Sequence, residues 1–561
     1  MGRYWSAVIV VVCLLASGHA YCQEQIQTGY TLLTPDPGSA ALVGSALFSY
    51  TNARGVLVSQ AGVASATPIP AGRIFVDQSG TETGIALVNP SGQSSNVIFV
   101  LRDASGKEAG QVIRQLSSGS HLATFVSQLF TGLPDGFIGS LTFESDQKLA
   151  SITLRQTLVG EDPLYTTLPV VDPSLAGSAR SIVFPQIAAG GGYQTQLILI
   201  NTTDQKLTGR IVLTRSDGQP LLVSSQGAEN SQFSYQIEPQ GVFRAEYDRP
   251  EGLDVGYAVL TPDEGTSSPS GSAIFQFRQD SVLVTEAGVG ATTSTTAARI
   301  FVDNAGSYTG VAVANPSDQE VVVTFTIMDR FGSTADSSSR TLPPRGHLAI
   351  FAHELVPGLP DGFTGLLEID STSPVVPITL KLSINSVGNQ ILTTLPVADL
   401  DSVPPAESLI FSHIAIGQGF ATRLIFINAE RGKAAGGTLS YFQSNGAPLI
   451  IPQGGTTGSQ FSYQMVAGGG RQFLPGDAAS VASISLLERL SDVPVSEVTV
   501  NAGQSYRPSL LVLDTAGHPR DDFELAFSSL STDVATVDKT GKVEGMKAGF
   551  STLTISSGNV V

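Results

Sequence analysis

Arg73-Ile74-Phe75-Val76-Asp77 returns unchanged as Arg299-Ile300-Phe301-Val302-Asp303, 226 residues further along the chain. The same step carries Gly84 to Gly310, Asn89-Pro90 to Asn315-Pro316, and His121-Leu122-Ala123 to His347-Leu348-Ala349. It also carries Gly132-Leu133-Pro134-Asp135-Gly136-Phe137 to Gly358-Leu359-Pro360-Asp361-Gly362-Phe363. A second unit follows each of these. Ser231-Gln232-Phe233-Ser234-Tyr235-Gln236 recurs verbatim as Ser459-Gln460-Phe461-Ser462-Tyr463-Gln464, and Leu197-Ile198-Leu199-Ile200-Asn201 matches Leu424-Ile425-Phe426-Ile427-Asn428. Self-similarity at a fixed period marks an architecture of repeated supersecondary units. The repeats divide the chain into A1 (70–175), B1 (176–295), A2 (296–402) and B2 (403–491). Residues 29–63 resemble 256–289, the second half of B1, so 21–69 reads as a partial B-type unit. It is expected to cap A1 or to complete a sheet with it.

The units read as β throughout. Val323, Phe325 and Ile327 alternate with Thr324, Thr326 and Met328, the pattern of a half-buried strand. Phe233, Tyr235 and Ile237 alternate with Ser234 and Gln236 in the same way. A hairpin signal recurs at one place in every unit: Ala104-Ser105-Gly106, Ser216-Asp217-Gly218, Arg330-Phe331-Gly332 and Ser444-Asn445-Gly446. Glycine there allows the positive φ of a tight turn. Helical spacing is confined to Leu122, Phe125, Val126, Leu129 and Phe130 and to the A2 equivalent ending at Leu355. The expected fold is all-β: tandem Ig-like antiparallel β-sandwich modules, with a short helix joining the sheets of each A unit.

Composition agrees. Apolar residues form 42% of the 561 and charged residues only 14%, so the chain can bury a core and does not read as disordered or coiled-coil. A net charge of −18 argues against a protein that tracks phosphates, so no nucleic-acid partner is expected. Residues 1–20 read as a secretory signal: Arg3 is the basic start, Ala7 to Ala16 the apolar run, and Gly18 and Ala20 the small residues before cleavage. The mature chain would keep Cys22 alone and no Trp, which leaves no intrachain disulfide. It would hold no transmembrane segment.

From about Val493 the texture changes. Val498-Thr499-Val500-Asn501-Ala502-Gly503 is followed by Leu510 to Asp514, the turn Thr515-Ala516-Gly517, and Phe527-Ser528-Ser529. Asp533-Val534-Ala535-Thr536-Val537-Asp538, Gly541-Lys542-Val543 and Gly545-Met546-Lys547-Ala548-Gly549 complete the series. In this order the blocks resemble the bacterial Ig-like group 2 domain, placed at 492–561. That resemblance implies a sandwich and a cell-surface role, since such domains occur in adhesins and as accessory modules of surface enzymes. It transfers no functional residue. The family has a further strand beyond the position of Val561, expected from a longer chain or from a partner. Phe184 to Asn201 (F-P-x-x-A-x-G-G-G-Y-x-T-x-L-x-L-x-N) resembles repeat regions of large exported bacterial proteins of acidobacterial type.

The sequence offers no G-x-S-x-G, G-K-[ST], H-E-x-x-H or C-x-x-C motif. His347, His353 and Glu354 have the wrong spacing for a zinc helix, and His121 and His347 are expected to make structural hydrogen bonds at a helix start. Gly190-Gly191-Gly192-Tyr193 and Gly417-Gln418-Gly419-Phe420 precede strands, so they read as turns and not as phosphate cradles. Asp135 and Asp361 sit in Pro-Asp-Gly turns, and Asp521-Asp522 lacks the alternation of a calcium loop. Tyr165, Tyr193, Tyr235 and Tyr463 are the candidate aromatic faces for a sugar, but each falls in or beside a strand pattern and reads first as core or rim. No catalytic, cofactor or metal residues are assigned and no ligand is identified. The expectation is a secreted or cell-surface, non-enzymatic protein acting as stalk, spacer or adhesin. The alternative is an accessory region that binds an extracellular glycan or surface protein, with Tyr193 and Phe420 as the residues to test.

Overall fold

The computed structural model describes residues 26–557 apart from 176–177, 361, 478–480, 488–497, 515–518, 521–522, 524 and 540. Residues 1–20, read as a signal, and Cys22, Asp361 and Asp521-Asp522 therefore lie outside the described residues. The three strands of the N-terminal partial unit are β1 (Gln27–Pro35), β2 (Leu42–Thr51) and β3 (Leu57–Ala64). Unit A1 follows with β4 (Ile69–Asp77), β5 (Thr81–Val88), β6 (Ser95–Asp103), β7 (Glu108–Leu116), β8 (His121–Phe125), α1 (Val126–Leu129), β9 (Ile138–Val159) and β10 (Asp162–Leu168).

A1 is a two-layer sandwich in which β9 serves both layers. Its first half pairs with β4 and β6, and its second half pairs with β5 and β10. Antiparallel sheets β7-β6-β9-β4 and β8-β5-β9-β10 result. Ile74, Val76, Ile85, Leu87, Phe99, Leu141 and Phe143 fill the space between them, all buried. Alternating side chains place these residues inward and their polar neighbours outward. A2 repeats the plan, with Thr364–Ile384 as its long strand. B1 keeps the strand order of the two layers, but the long strand is divided into Asp254–Pro262 and Ser270–Gln279.

The partial unit does not complete a sheet with A1. It completes B2. On one layer β1 lies between Leu409–Ile416 and Ala435–Gln443, and on the other β2 pairs with Phe420–Asn428 and carries β3 at its edge. These are the places that Asp254–Pro262, Ser270–Gln279 and Val282–Gly290 hold in B1. B2 lacks those strands in its own sequence, and the exposed faces of its sheets supply the apolar drive for recruiting them. Leu33 and Phe48 then share one core with Phe411, Phe426, Tyr441 and Tyr463.

Closing B2 with the start of the chain closes a ring. Each expected hairpin glycine has positive φ: Gly106 84°, Gly218 82°, Gly332 75° and Gly446 82°. Each turn also docks on the next unit. The carbonyls of Ala104, Ser216, Arg330 and Ser444 accept from the N–H groups of Val242, His347, Gly470 and His121, at 3.0, 3.1, 2.9 and 2.9 Å. The order is A1 on B1, B1 on A2, A2 on B2, and B2 on A1. At the centre, one edge strand from each unit packs on two others: β3, β10, Val282–Gly290 and Gln390–Leu395.

Two sequence expectations change. The segment with helical spacing is mostly strand: Leu122 and Phe125 lie on β8, paired with β5, and only Val126–Leu129 is helical. The A2 helix, α2, is equally short at Ala352–Leu355. An apolar stretch of nine residues is too short to nucleate a helix against a sheet edge that offers backbone hydrogen bonds. The C-terminal unit also begins before residue 492, because Val481–Leu487 pairs with Ser509–Asp514. It rests against the ring through Arg507 Nη1, which donates to the Phe331 carbonyl at 3.0 Å, and Lys539 Nζ, which donates to Gln464 Oε1 at 3.0 Å.

Candidate binding cleft

The A1–B2 junction contains a cavity of about 340 Å³ with a largely apolar lining. Two of its walls come from residues far apart in sequence. From A1 come Ile85, Phe125, Leu154 and Tyr165, and from the completed B2 come Phe48, Tyr50, His413 and Phe420. Phe420 is placed by the Gly417–Phe420 turn, in which the Gly417 and Phe420 backbones exchange hydrogen bonds of 2.9 and 3.0 Å. The Phe420 ring centre lies 4.8 Å from Tyr50 and 5.9 Å from Tyr165. Ser59 on β3 fixes Tyr165 from across the ring centre, its Oγ accepting from the Tyr165 N–H at 2.7 Å. Burial, with Tyr50 nearby, raises the Tyr165 hydroxyl to about 12, so it is a neutral donor at physiological pH.

Among the polar lining groups is His413, which pairs with His121 behind it. His121 Nδ1 meets Ser444 Oγ at 3.1 Å, and His121 Nε2 meets His413 Nδ1 at 3.2 Å. Burial lowers His121 to about 3, with the His413 imidazole adding to the effect, and burial lowers His413 to about 4. Both rings are therefore neutral at pH 7. The arrangement offers flat aromatic faces, a few fixed hydrogen-bonding groups and little charge. It suits a ligand with an apolar face and polar rim, such as a sugar ring or an amphipathic side chain.

The singled-out residues divide clearly. The cleft brings Tyr165 and Phe420 together. Tyr193 occupies the equivalent turn of B1, packs at a tilt on Phe277 with ring centres 4.7 Å apart and donates to Gln390 Oε1 at 3.0 Å. Tyr235 and Tyr463 are core residues, 2% and 1% exposed, and present no face to a ligand. His121 and His347 do make structural hydrogen bonds, though each begins a strand and clamps the hairpin of the preceding unit. His347 Nδ1 meets Ser216 Oγ at 3.0 Å. Gly190 and Tyr193 exchange backbone bonds in a tight turn, as expected. His353 stacks on Phe351 and meets Tyr308 at a tilt, while Glu354 accepts from the Phe351 N–H at 2.8 Å. Asp135 lies in a turn closed by Phe137 N–H to the Pro134 carbonyl at 3.1 Å. Among the described residues, no group of three or more His, Cys, Asp or Glu converges as a metal site.

Sequence reasoning missed Phe48, Tyr50, Phe125 and His413. Aligning the partial unit with B1 pairs Tyr50 with Phe277, which packs on Tyr193, and that was the available signal.

The fold and cleft define an all-β class: a closed cycle of four sandwiches with an aromatic recess at one junction. No protein-family model and no curated protein matches the chain. Among solved structures, a glycosyl hydrolase family 2 member from Bacteroides cellulosilyticus aligns at 9% identity over 40% of this chain and 28% of that one, with a TM-score of 0.10. The VP2 subviral particle of infectious bursal disease virus aligns at 11% identity over 80% of this chain and 81% of that one, also with a TM-score of 0.10. No helix among the described residues is long and apolar enough to cross a membrane.

Proposed function

We propose that this is an exported, non-enzymatic bacterial surface protein that works by binding. Its ring is a rigid platform, and the A1–B2 cleft receives an extracellular saccharide or an amphipathic protein segment. The observation that carries the reading is the cleft itself, with Tyr50, Tyr165 and Phe420 converging on one apolar recess. The apparent signal segment and the C-terminal resemblance to the bacterial Ig-like group 2 domain support an adhesive or accessory role outside the cell. Of the stalk, spacer and adhesin roles, ring closure favours the last, because four units in a cycle extend less far than four in a line.

The test is a glycan array and a surface-peptide panel probed with the secreted chain. Saturable binding that drops at least about tenfold, ~1.4 kcal/mol, in Phe420→Ala and Tyr165→Ala supports the reading. Binding that survives both substitutions removes the cleft from the function.

A further inference from the structure

The two A–B junctions share one plan and differ in charge. At A1–B1, Asp77 Oδ2 faces Arg155 Nη2 at 3.4 Å and Arg244 Nη1 at 3.3 Å. Arg155 Nη1 also reaches Glu286 Oε2 at 3.4 Å. Glu286 accepts from Gln276 Nε2 at 3.1 Å and Thr157 Oγ1 at 3.3 Å. Asp77, Arg155 and Glu286 are all buried, and two carboxylates meet two guanidinium groups.

At A2–B2, Asp303, Lys381 and Ser383 stand where A1–B1 has Asp77, Arg155 and Thr157. A second cation again arrives from the B unit, here as Arg423. Asp303 Oδ2 faces Lys381 Nζ at 3.1 Å and Arg423 Nη1 at 3.2 Å. The Glu286 position is held by Gln60 of β3, whose Oε1 accepts from Ser383 Oγ at 2.9 Å. Two cations therefore share one carboxylate. Beside them lies a cavity of about 300 Å³, and Asp303, Lys381 and Arg423 are its charged lining residues. An incompletely balanced cation pair attracts an anion into the space before it.

We propose that this cavity binds the carboxylate of a small acidic ligand of monosaccharide size. The anion supplies the second negative charge that Glu286 brings to A1–B1, but from the cavity beside Gln60, where it receives charge-assisted hydrogen bonds from Lys381 and Arg423. The volume suits a sugar acid. Its position on β3 separates the site from the aromatic cleft: Ser59 lines the cleft and Gln60 lines this cavity.

Glucuronate is the probe and glucose its neutral control, each titrated calorimetrically into the full chain at low salt. The wild-type chain is expected to bind glucuronate saturably at about 1 mM, more weakly as salt rises, and not to bind glucose. Gln60→Glu installs the carboxylate already accommodated at A1–B1, so it is expected to fold, to melt higher, and to weaken glucuronate at least about tenfold. Lys381→Gln is expected to lose binding similarly, while Phe420→Ala keeps it. Absence of saturable glucuronate binding, equal binding of glucose, or undiminished binding in Gln60→Glu would overturn the proposal. Loss in Phe420→Ala would place the ligand in the aromatic cleft and overturn it as well.

Discussion

Gly62 and Gly288 have no room for a side chain. A Cβ at Gly62 would collide with the Thr394 carbonyl oxygen, and one at Gly288 with that of Thr167. These contacts lie where the four central strands meet. The same strands are tied by threonine hydroxyls: Thr167 Oγ1 donates to the Gly62 carbonyl and Thr394 Oγ1 to that of Gly288, each at 2.8 Å. Gly62→Ala is expected to cost about 2–3 kcal/mol by overpacking, measured by urea unfolding against the wild-type chain. The buried histidines give a second prediction. His121 and His413 stay neutral in the fold down to about 3 and 4, and His347 to about 4, whereas the unfolded chain protonates them near 6.5. Below pH 6.5 the unfolded state binds protons that the native state refuses, so this contribution is complete above 6.5 and is lost as pH falls toward 4. By linkage each histidine takes roughly 2 kcal/mol from stability between pH 7 and 4.5, so the three together should lower it by several kcal/mol. His413→Gln copies Gln186, its equivalent in B1, and should shrink that drop; an unchanged pH profile would contradict the assignment.

At the scale of elements, the long strand β9 and its A2 counterpart show how one sequence segment can serve two layers. Leu141 and Phe143 face the core from one sheet, and Ala150 and Ile152 are buried further along, where the strand pairs with β5 in the other. The strands β1–β3 make the opposite point, because they belong to a sandwich whose other strands begin at Leu409. Moving residues 26–66 to follow residue 477 by a short linker is expected to preserve the fold, with the melting temperature within a few degrees of the wild-type value. Deleting them should leave B2 open and aggregation-prone, since Phe411, Phe426 and Tyr441 would lose part of their cover. Circular dichroism and light scattering on the two variants distinguish these outcomes.

At the scale of the molecule, closure depends on four equivalent turn contacts and one central cluster of edge strands. Every unit touches two neighbours, so no unit is terminal within the ring. Solution scattering checks this directly. A compact body of residues 26–557 should have a radius of gyration of about 24 Å. A linear string of the same units would be far larger, and such a value would refute the ring.

The all-β class, the four-unit layout and the hairpin turns were legible in the sequence because each rests on local chemistry. Alternation sets the strands, glycine sets the turns, and duplication sets the order. The likeness of 29–63 to 256–289 even identified the missing half of a B unit. Which unit that half would join was decided only in three dimensions, because pairing β1 with Leu409–Ile416 depends on which apolar faces remain uncovered once the ring is assembled. The cleft followed from the same event. Tyr50, Tyr165, His413 and Phe420 carry no shared spacing, and only closure of the chain start onto B2 makes them neighbours.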